Sequence, residues 1–414
     1  MKKLNFIIKY GLALLLLSFY SCESWLNVTP SDRLSEEMLF NDREGFVKAL
    51  NGVYIELNTN ELYGRNLTAG ALDVMGQYYS VASSSHAFYN YGGLVYTGND
   101  EKALFDNMWQ KCYAVIACCN TIIEKCDENK AGLSPVWKGS IKGEALALRA
   151  MLHFDMLRLF GPLTSELDKE SIPYQTNSDQ TVTPLLSGSE VIGLILDDLK
   201  NAVGLLKDTD PYFVEEEFSD TDLNYRRFRM NYFAAKGLMA RVQLWGGDKE
   251  KAAATAKEVI AEGQAEGAEF FPFVTNSEAT SSNPDRVFYS EVLFGTYHSS
   301  REKLHEDLFA PTLESTSILT LAGTARRDDL YDNENDYRYS VWSTYNKNGT
   351  SVLYHRKFEK QDNVTASRQY MIPLIRMSEM YLIAEEAVMN APQLDPAPLS
   401  YINTLKRHRG IAEL

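Results

Sequence analysis

VWKGSIKGEALALRAMLHFDMLRLFG, residues 136–161, is apolar on almost every side of a helical wheel. A helix of that kind has no solvent face and belongs at the centre of a fold. Gly161-Pro162 stops it. Arg149 and His153 stand one turn apart on the same face. An arginine buried there requires a partner, because stranding its charge costs several kcal/mol. His153 is expected as a satisfied core histidine.

Working outward, the helical period continues on both sides. Residues 36–57 carry Phe46, Leu50, Val53 and Tyr54 at helical spacing, and residues 104–126 and 187–207 extend the pattern. In 231–263, Asn231 and Asp248 are placed as N-caps, with Gly246-Gly247 and Gly263 as stops. Small residues (Ala234, Gly237, Ala240; Ala252, Ala253, Ala256) line faces able to pack closely. This is a helical hairpin of tetratricopeptide-like character, without the strict consensus. Helix is expected again at 373–388, then from an Asp395-Pro396 cap through Arg409 to Gly410. Residues 77–101 read as loop. Residues 264–370 are irregular, polar and tyrosine-rich, with short β-like pieces such as RVFYSEVLFGTY (286–297). The expected fold is mainly α, with helices at 35–263 and 371–414 framing an irregular lobe at 264–370.

The N-terminus has the build of an export signal. Lys2, Lys3 and Lys9 precede an apolar run, Gly11 to Tyr20, too short to span a bilayer. The run ends at Cys22, where a lipoprotein signal would be cut and the thiol acylated. Phe19 departs from the aliphatic residue usual in that signal. Residues 1–21 are thus expected as signal peptide and 22–34 as lipid anchor and tether. Each acyl methylene buried in a membrane contributes about 0.8 kcal/mol.

The 414 residues carry a net charge of −15, and removing the signal takes away only lysines. Such a chain does not attract nucleic acid through its bulk field. RRFR (226–229) and KRHR (406–409) are local exceptions, the second in the last turn of a helix, where cations offset the dipole. The acids of EEEF (215–218) are expected as solvated surface. Cys112, Cys119 and Cys126 repeat every seven residues, about 10.5 Å of helix rise and too far for a disulfide. With Cys118 they are expected as buried small hydrophobes; no histidine accompanies them to make a zinc site. No metal, cofactor or catalytic residue is expected.

CESWLNVTP, LFNDREGFVKALNGVY and WQKCYAVIACCNTII (with Trp109, Tyr113 and Asn120) resemble segments of the SusD/RagB family of outer-membrane nutrient-binding lipoproteins. The likeness continues through KGEALALRAMLHFDMLRLFGPL, LDDLKNAVGLL, RMNYFAAKGLMARVQLWGGD and PLIRMSEMYLIAEEA, in the family's order. The resemblance implies a curved scaffold of four tetratricopeptide-like helix pairs and a loop-rich lobe carrying the ligand site. It implies display on the outer membrane of a Gram-negative cell. It also implies a partner, a SusC-like TonB-dependent β-barrel transporter over which the lipoprotein closes. The ligand is then an oligosaccharide, or a peptide as in the RagB branch. Family members usually run well beyond the Arg409-Gly410 pair, whereas this chain stops at Leu414, so a short member and a truncated product both remain open.

Sugars present flat C–H faces and hydroxyls, which call for exposed rings beside amides, carboxylates or arginine. QYYSVASSSHAFYNYGG (77–93) offers Tyr78, Tyr79, Tyr89, Asn90 and Tyr91; DLYDNENDYRYSVWSTYNKNG (329–349) offers Arg338, Trp342 and Tyr345. The competing reading packs these rings inside the lobe. Trp342 and Tyr89 are expected as platforms whose removal weakens glycan binding and leaves the fold intact. A glycan-active enzyme on a helical scaffold needs two carboxylates about 5–10 Å apart, and the sequence singles out no such pair. A helical adaptor for protein ligands is the third class.

Overall fold

The computed structural model describes residues 36–179, 181–266, 269–331, 333–390 and 399–414. The expected signal peptide, Cys22, its tether and the Asp395-Pro396 cap lie outside the described residues.

Among the described residues eight helices form an array in which each packs on the next in chain order: α1 (Arg43–Leu57), α2 (Asn99–Glu128), α3 (Pro135–Phe160), α4 (Gly188–Thr209), α5 (Tyr232–Trp245), α6 (Lys249–Gly263), α7 (Met377–Asn390) and α8 (Ser400–Arg407). Their starts follow from side chains. Ser134 accepts from the Trp137 N–H with Pro135 at the first helical position, and Ser187 and Glu190 form a capping box. Asn231 and Asp248 cap α5 and α6 as expected. The single helix expected at 36–57 is broken. A short helix, Glu36–Leu39, ends, and Asp42 in extended geometry caps a new one by accepting from the Gly45 N–H at 2.8 Å.

α3 is buried from Gly139 to Leu157 except for a half-buried Lys142. Its contact with α4 needs glycine: a Cβ at Gly143 would lie 2.8 Å from Leu206 Cγ, and one at Gly139 only 2.5 Å from Thr209 Cγ2. Arg149 has its partner. Its Nε and Nη2 each donate to Asp198 at 2.7 Å, and Nη1 donates to Asn120 Oδ1 at 2.9 Å. His153 stacks on Tyr174 at 4.0 Å, donates through Nδ1 to the Arg149 carbonyl and accepts the Gln175 N–H at Nε2.

Burial pushes the His153 pKa down to about 3, and burial likewise holds His355 well below the usual histidine range. A proton on His153 Nε2 would face the Gln175 N–H donor head-on. The unfolded chain takes up protons below about pH 6.5 and the folded chain does not, so stability should fall as pH drops from 7 to 5. Each histidine contributes a slope of up to about 1.4 kcal/mol per pH unit. Urea unfolding across that range measures it. His153→Gln should flatten the curve by one histidine's share, and an unchanged slope would remove His153 as a cause.

The two basic runs are structural. Arg226, 2% exposed, donates to both oxygens of Asp210 and to Glu144. Arg229 and Tyr54 donate to the other Glu144 oxygen at 3.0 and 2.6 Å, and the Tyr232 N–H donates to Asp210 at 2.8 Å. Arg227 donates to the carbonyls of Phe270, Tyr289, Ser290 and Val292. One short segment thereby ties α1, α3, α5 and the lobe together. In KRHR, Lys406 and Arg407 sit in the last turn of α8, but Arg409 lies beyond it and pairs with buried Glu291 at 2.6 Å. Glu215, Glu216 and Glu217 are exposed on a 3₁₀ turn. Cys112, Cys119 and Cys126 are buried, whereas Cys118, rotated to the outer side of α2, is exposed.

Between α6 and α7 the chain builds the lobe. A short antiparallel pair, β1 (Glu170–Pro173) and β2 (Leu185–Ser187), precedes α4, and in the lobe β3 (Val292–Tyr297) pairs antiparallel with β6 (Met371–Arg376). β4 (Trp342–Lys347) and β5 (Thr350–His355) form a hairpin turned by Asn348 and Gly349, both at positive φ. The helix expected from 373 starts only at Met377, because PLIR is held as strand by β3. The loop expected at 77–101 contains a helical turn, Tyr89–Gly92, and already enters α2 at Asn99. A second core, separate from that of the array, joins Tyr79, Phe88, Tyr91, Phe309, Trp342 and Phe358.

Candidate functional site

A cleft of about 700 Å³ opens where the lobe meets β6 and α7. That volume falls within the range of small-ligand pockets. Several stretches distant in sequence supply its walls, among them residues 286–288 just before β3. Thr68, Asp73 and Tyr78 come from the segment before α2. Tyr331, Arg338 and Val341 come from the lobe, His355, Lys357 and Phe358 from the end of β5 and the turn after it, and Arg376, Glu379 and Leu382 from β6 and α7.

The rings are positioned by one another. Tyr78, 37% exposed, packs edge-on against Tyr79 at 4.9 Å and shares a 3.3 Å hydroxyl contact with Tyr331. Burial, then the Tyr331 hydroxyl, pushes the Tyr78 pKa upward, so the Tyr78 phenol stays protonated. The Arg338 guanidinium lies 5.6 Å from the Tyr331 ring centroid and is held by Asp336 at 2.6 Å, a bond that raises its pKa further. Leu382, half exposed, is an apolar element of the α7 wall. The arrangement offers ring and aliphatic surface beside fixed hydrogen-bond donors, which is what a sugar ring with hydroxyls can use.

Of the residues picked from sequence, the fold brings Tyr78 and Arg338 to this cleft. Three others are corrected by burial. Tyr79, Tyr91 and Trp342 are each 4% exposed in the lobe's core, so their faces are covered by protein. Trp342 begins β4 and packs on His355 at 4.3 Å, which is why a tryptophan flanked by small and polar residues is nevertheless inside. Asn90 donates its amide to buried Glu101 at 2.9 Å. Tyr89 and Tyr345 are exposed, each 43%, but line none of the hollows described here. Tyr331, Lys357, Arg376 and Glu379 were missed. Tyr331 stood in the quoted stretch, while the others carry no local signal.

A second hollow of about 590 Å³ lies between the lobe and Gly410. Among the described residues its one aromatic ring, Tyr337, is 8% exposed, so these residues offer no comparable stacking surface. Among the described residues no cluster of three or more His, Cys, Asp or Glu could hold a metal, and no helix is long and apolar enough to cross a membrane.

Residues 24–244 match a SusD-like family model whose description is "starch-binding associating with outer membrane". SusD-like protein P2 of Formosa agariphila is 26% identical over 265 residues, covering 62% of this chain and 46% of that protein. The chain spans less than half the length of the curated relatives it matches. A SusD superfamily protein of Bacteroides thetaiotaomicron superposes with a TM-score of 0.70 at 21% identity, over 89% of this chain and 81% of that one. A laminarin binding SusD-like protein superposes with a TM-score of 0.64 at 16% identity, over 90% and 86%. At these identities the superpositions establish the mainly helical fold.

Proposed function

The chain belongs to the SusD-like family, and on that premise we propose that it captures oligosaccharide in the cleft between lobe and α7, binding it without turnover. In this reading Cys22 carries the lipid that holds the protein at the outer membrane, facing outward. The cargo passes to a TonB-dependent β-barrel. The observation that carries the reading is the meeting of Tyr78, Tyr331 and Arg338, from segments more than 250 residues apart, around one open cleft. The family's printed description and the laminarin-binding neighbour support glycan as the ligand class.

The test is calorimetric titration of the lipid-free chain with laminarin and starch oligosaccharides and with a panel of charged ones, alongside a peptide library. Tyr78→Ala should weaken glycan binding about tenfold, or about 1.4 kcal/mol, at unchanged melting temperature. Binding of peptides and of no glycan would replace the sugar reading with the peptide one. Recovery of a TonB-dependent barrel with the full-length protein from solubilised outer membranes checks the delivery step.

A further inference from the structure

The protein is strongly acidic, yet among the described residues four cations and two carboxylates line its cleft. Most of these charges are already matched. Lys357 pairs with Asp73 at 3.1 Å, and Arg338 with Asp336 at 2.6 Å. Glu379 is taken from beneath by Arg241, which grips both its oxygens. Two arginines are left over. The side chain of Arg376, exposed at the end of β6, makes no hydrogen bond or ion pair among the described residues, and the acids whose charge reaches it, Glu291 and Glu379, are held by Arg409 and Arg241. Arg286, whose side chain is 6% exposed, has one ion pair of 3.1 Å with Glu359, a carboxylate it shares with Arg356. Its Nε and Nη1 are buried without a hydrogen-bond partner.

A guanidinium buried with N–H groups unpaired, as in Arg286, is costly unless something anionic arrives, and the solvated Arg376 beside it is free to receive that anion. A guanidinium presents a planar fork of donors that fits carboxylate and sulfate oxygens. We propose that the ligand of this cleft is an anionic saccharide, bearing carboxylate or sulfate groups, and that Arg376 receives that charge. Arg286 adds positive potential from the wall behind. The inference rests on the glycan reading above and narrows it. Arg338 and Tyr78 hold the sugar ring, and Arg376 selects the acid.

The experiment titrates the full chain with oligogalacturonate as the carboxylate probe, sulfated galactan oligosaccharides as the sulfate probe and laminari-oligosaccharides as the neutral one. Wild type, Arg376→Gln and Arg376→Lys are compared at 50 and 300 mM NaCl, with melting temperature as the folding control. The expected result is binding of at least one acidic probe, at least tenfold tighter than the neutral one and weakened by salt. Arg376→Gln should lose tenfold or more of that affinity, and Arg376→Lys only part of it. Which acidic probe binds tells carboxylate from sulfate. Neutral saccharide bound as tightly as acidic overturns this inference and leaves the glycan reading standing. Acidic saccharide bound equally by wild type and Arg376→Gln overturns the role of Arg376. No saccharide bound by wild type overturns the glycan reading and this inference with it.

Discussion

Arg226→Met is expected to destabilise the protein by about 3–5 kcal/mol, the loss typical when one member of a buried ion cluster is removed. The arginine is 2% exposed, Glu144 3% and Asp210 fully buried. Removing the cation strands two carboxylates in a site closed to water. Arg229, partly exposed, reaches Glu144 and Asn51 but not Asp210, which is left without a cation among the described residues. A whole domain is stable by only about 5–15 kcal/mol, so most of the margin would go. The loss should be global, because the cluster touches α1 through Tyr54, α3 through Glu144 and α5 through the Tyr232 N–H. Urea unfolding measures it. Removing the exposed Glu44–Lys48 pair of α1 should change stability by less than about 1 kcal/mol and serves as the comparison. Adding Glu144→Gln and Asp210→Asn to Arg226→Met should recover part of the loss, since the groups left behind are then neutral. No recovery would mean that packing of the long side chain, rather than its charge, dominates.

Trp342→Ala is expected to cost about 3–5 kcal/mol and to loosen the lobe first. The indole is at the centre of the lobe's core, between His355 at 4.3 Å and Tyr79 at 6.4 Å. It also starts the β4–β5 ladder opposite His355. Glycan binding would fall in this variant because the wall holding Arg338 and Val341 melts, and proteolysis should cut within 298–370 before it cuts the helices. Trp342→Phe is the informative companion. The indole N–H makes no hydrogen bond, so phenylalanine loses volume alone and should cost far less. Alanine tolerated with full stability and weakened binding would restore Trp342 as a contact residue.

The helical array was legible because its signals are local. Capping side chains at Asn231 and Asp248 and the apolar wheel of α3 each act within a few residues. The strand at 371–376 was hidden by equally local signals pointing the wrong way. Proline before an apolar run reads as a helix start, and only β3, some eighty residues earlier, overrides it. The cleft was half legible for the same reason. Aromatic, polar-flanked stretches located Tyr78 and Arg338. Whether a ring faces water depends on what lies across the lobe, so Tyr78 and its neighbour Tyr79 have opposite fates. An unmatched charge is least legible of all. Arg376 stands out only once every acid within reach has been assigned to another cation.

β3 and β6 lie side by side, so the chain leaves the array and re-enters it at nearly one point, and α6 packs on α7 across the residues inserted between them. An excursion whose two ends already touch adds little closure entropy to its host as it lengthens, since that cost grows only with the logarithm of loop size. The helices therefore place almost no constraint on what is built there. Substitutions and insertions that reshape the cleft can accumulate in the excursion while the array keeps its register. One frame can in this way be fitted to many cargoes.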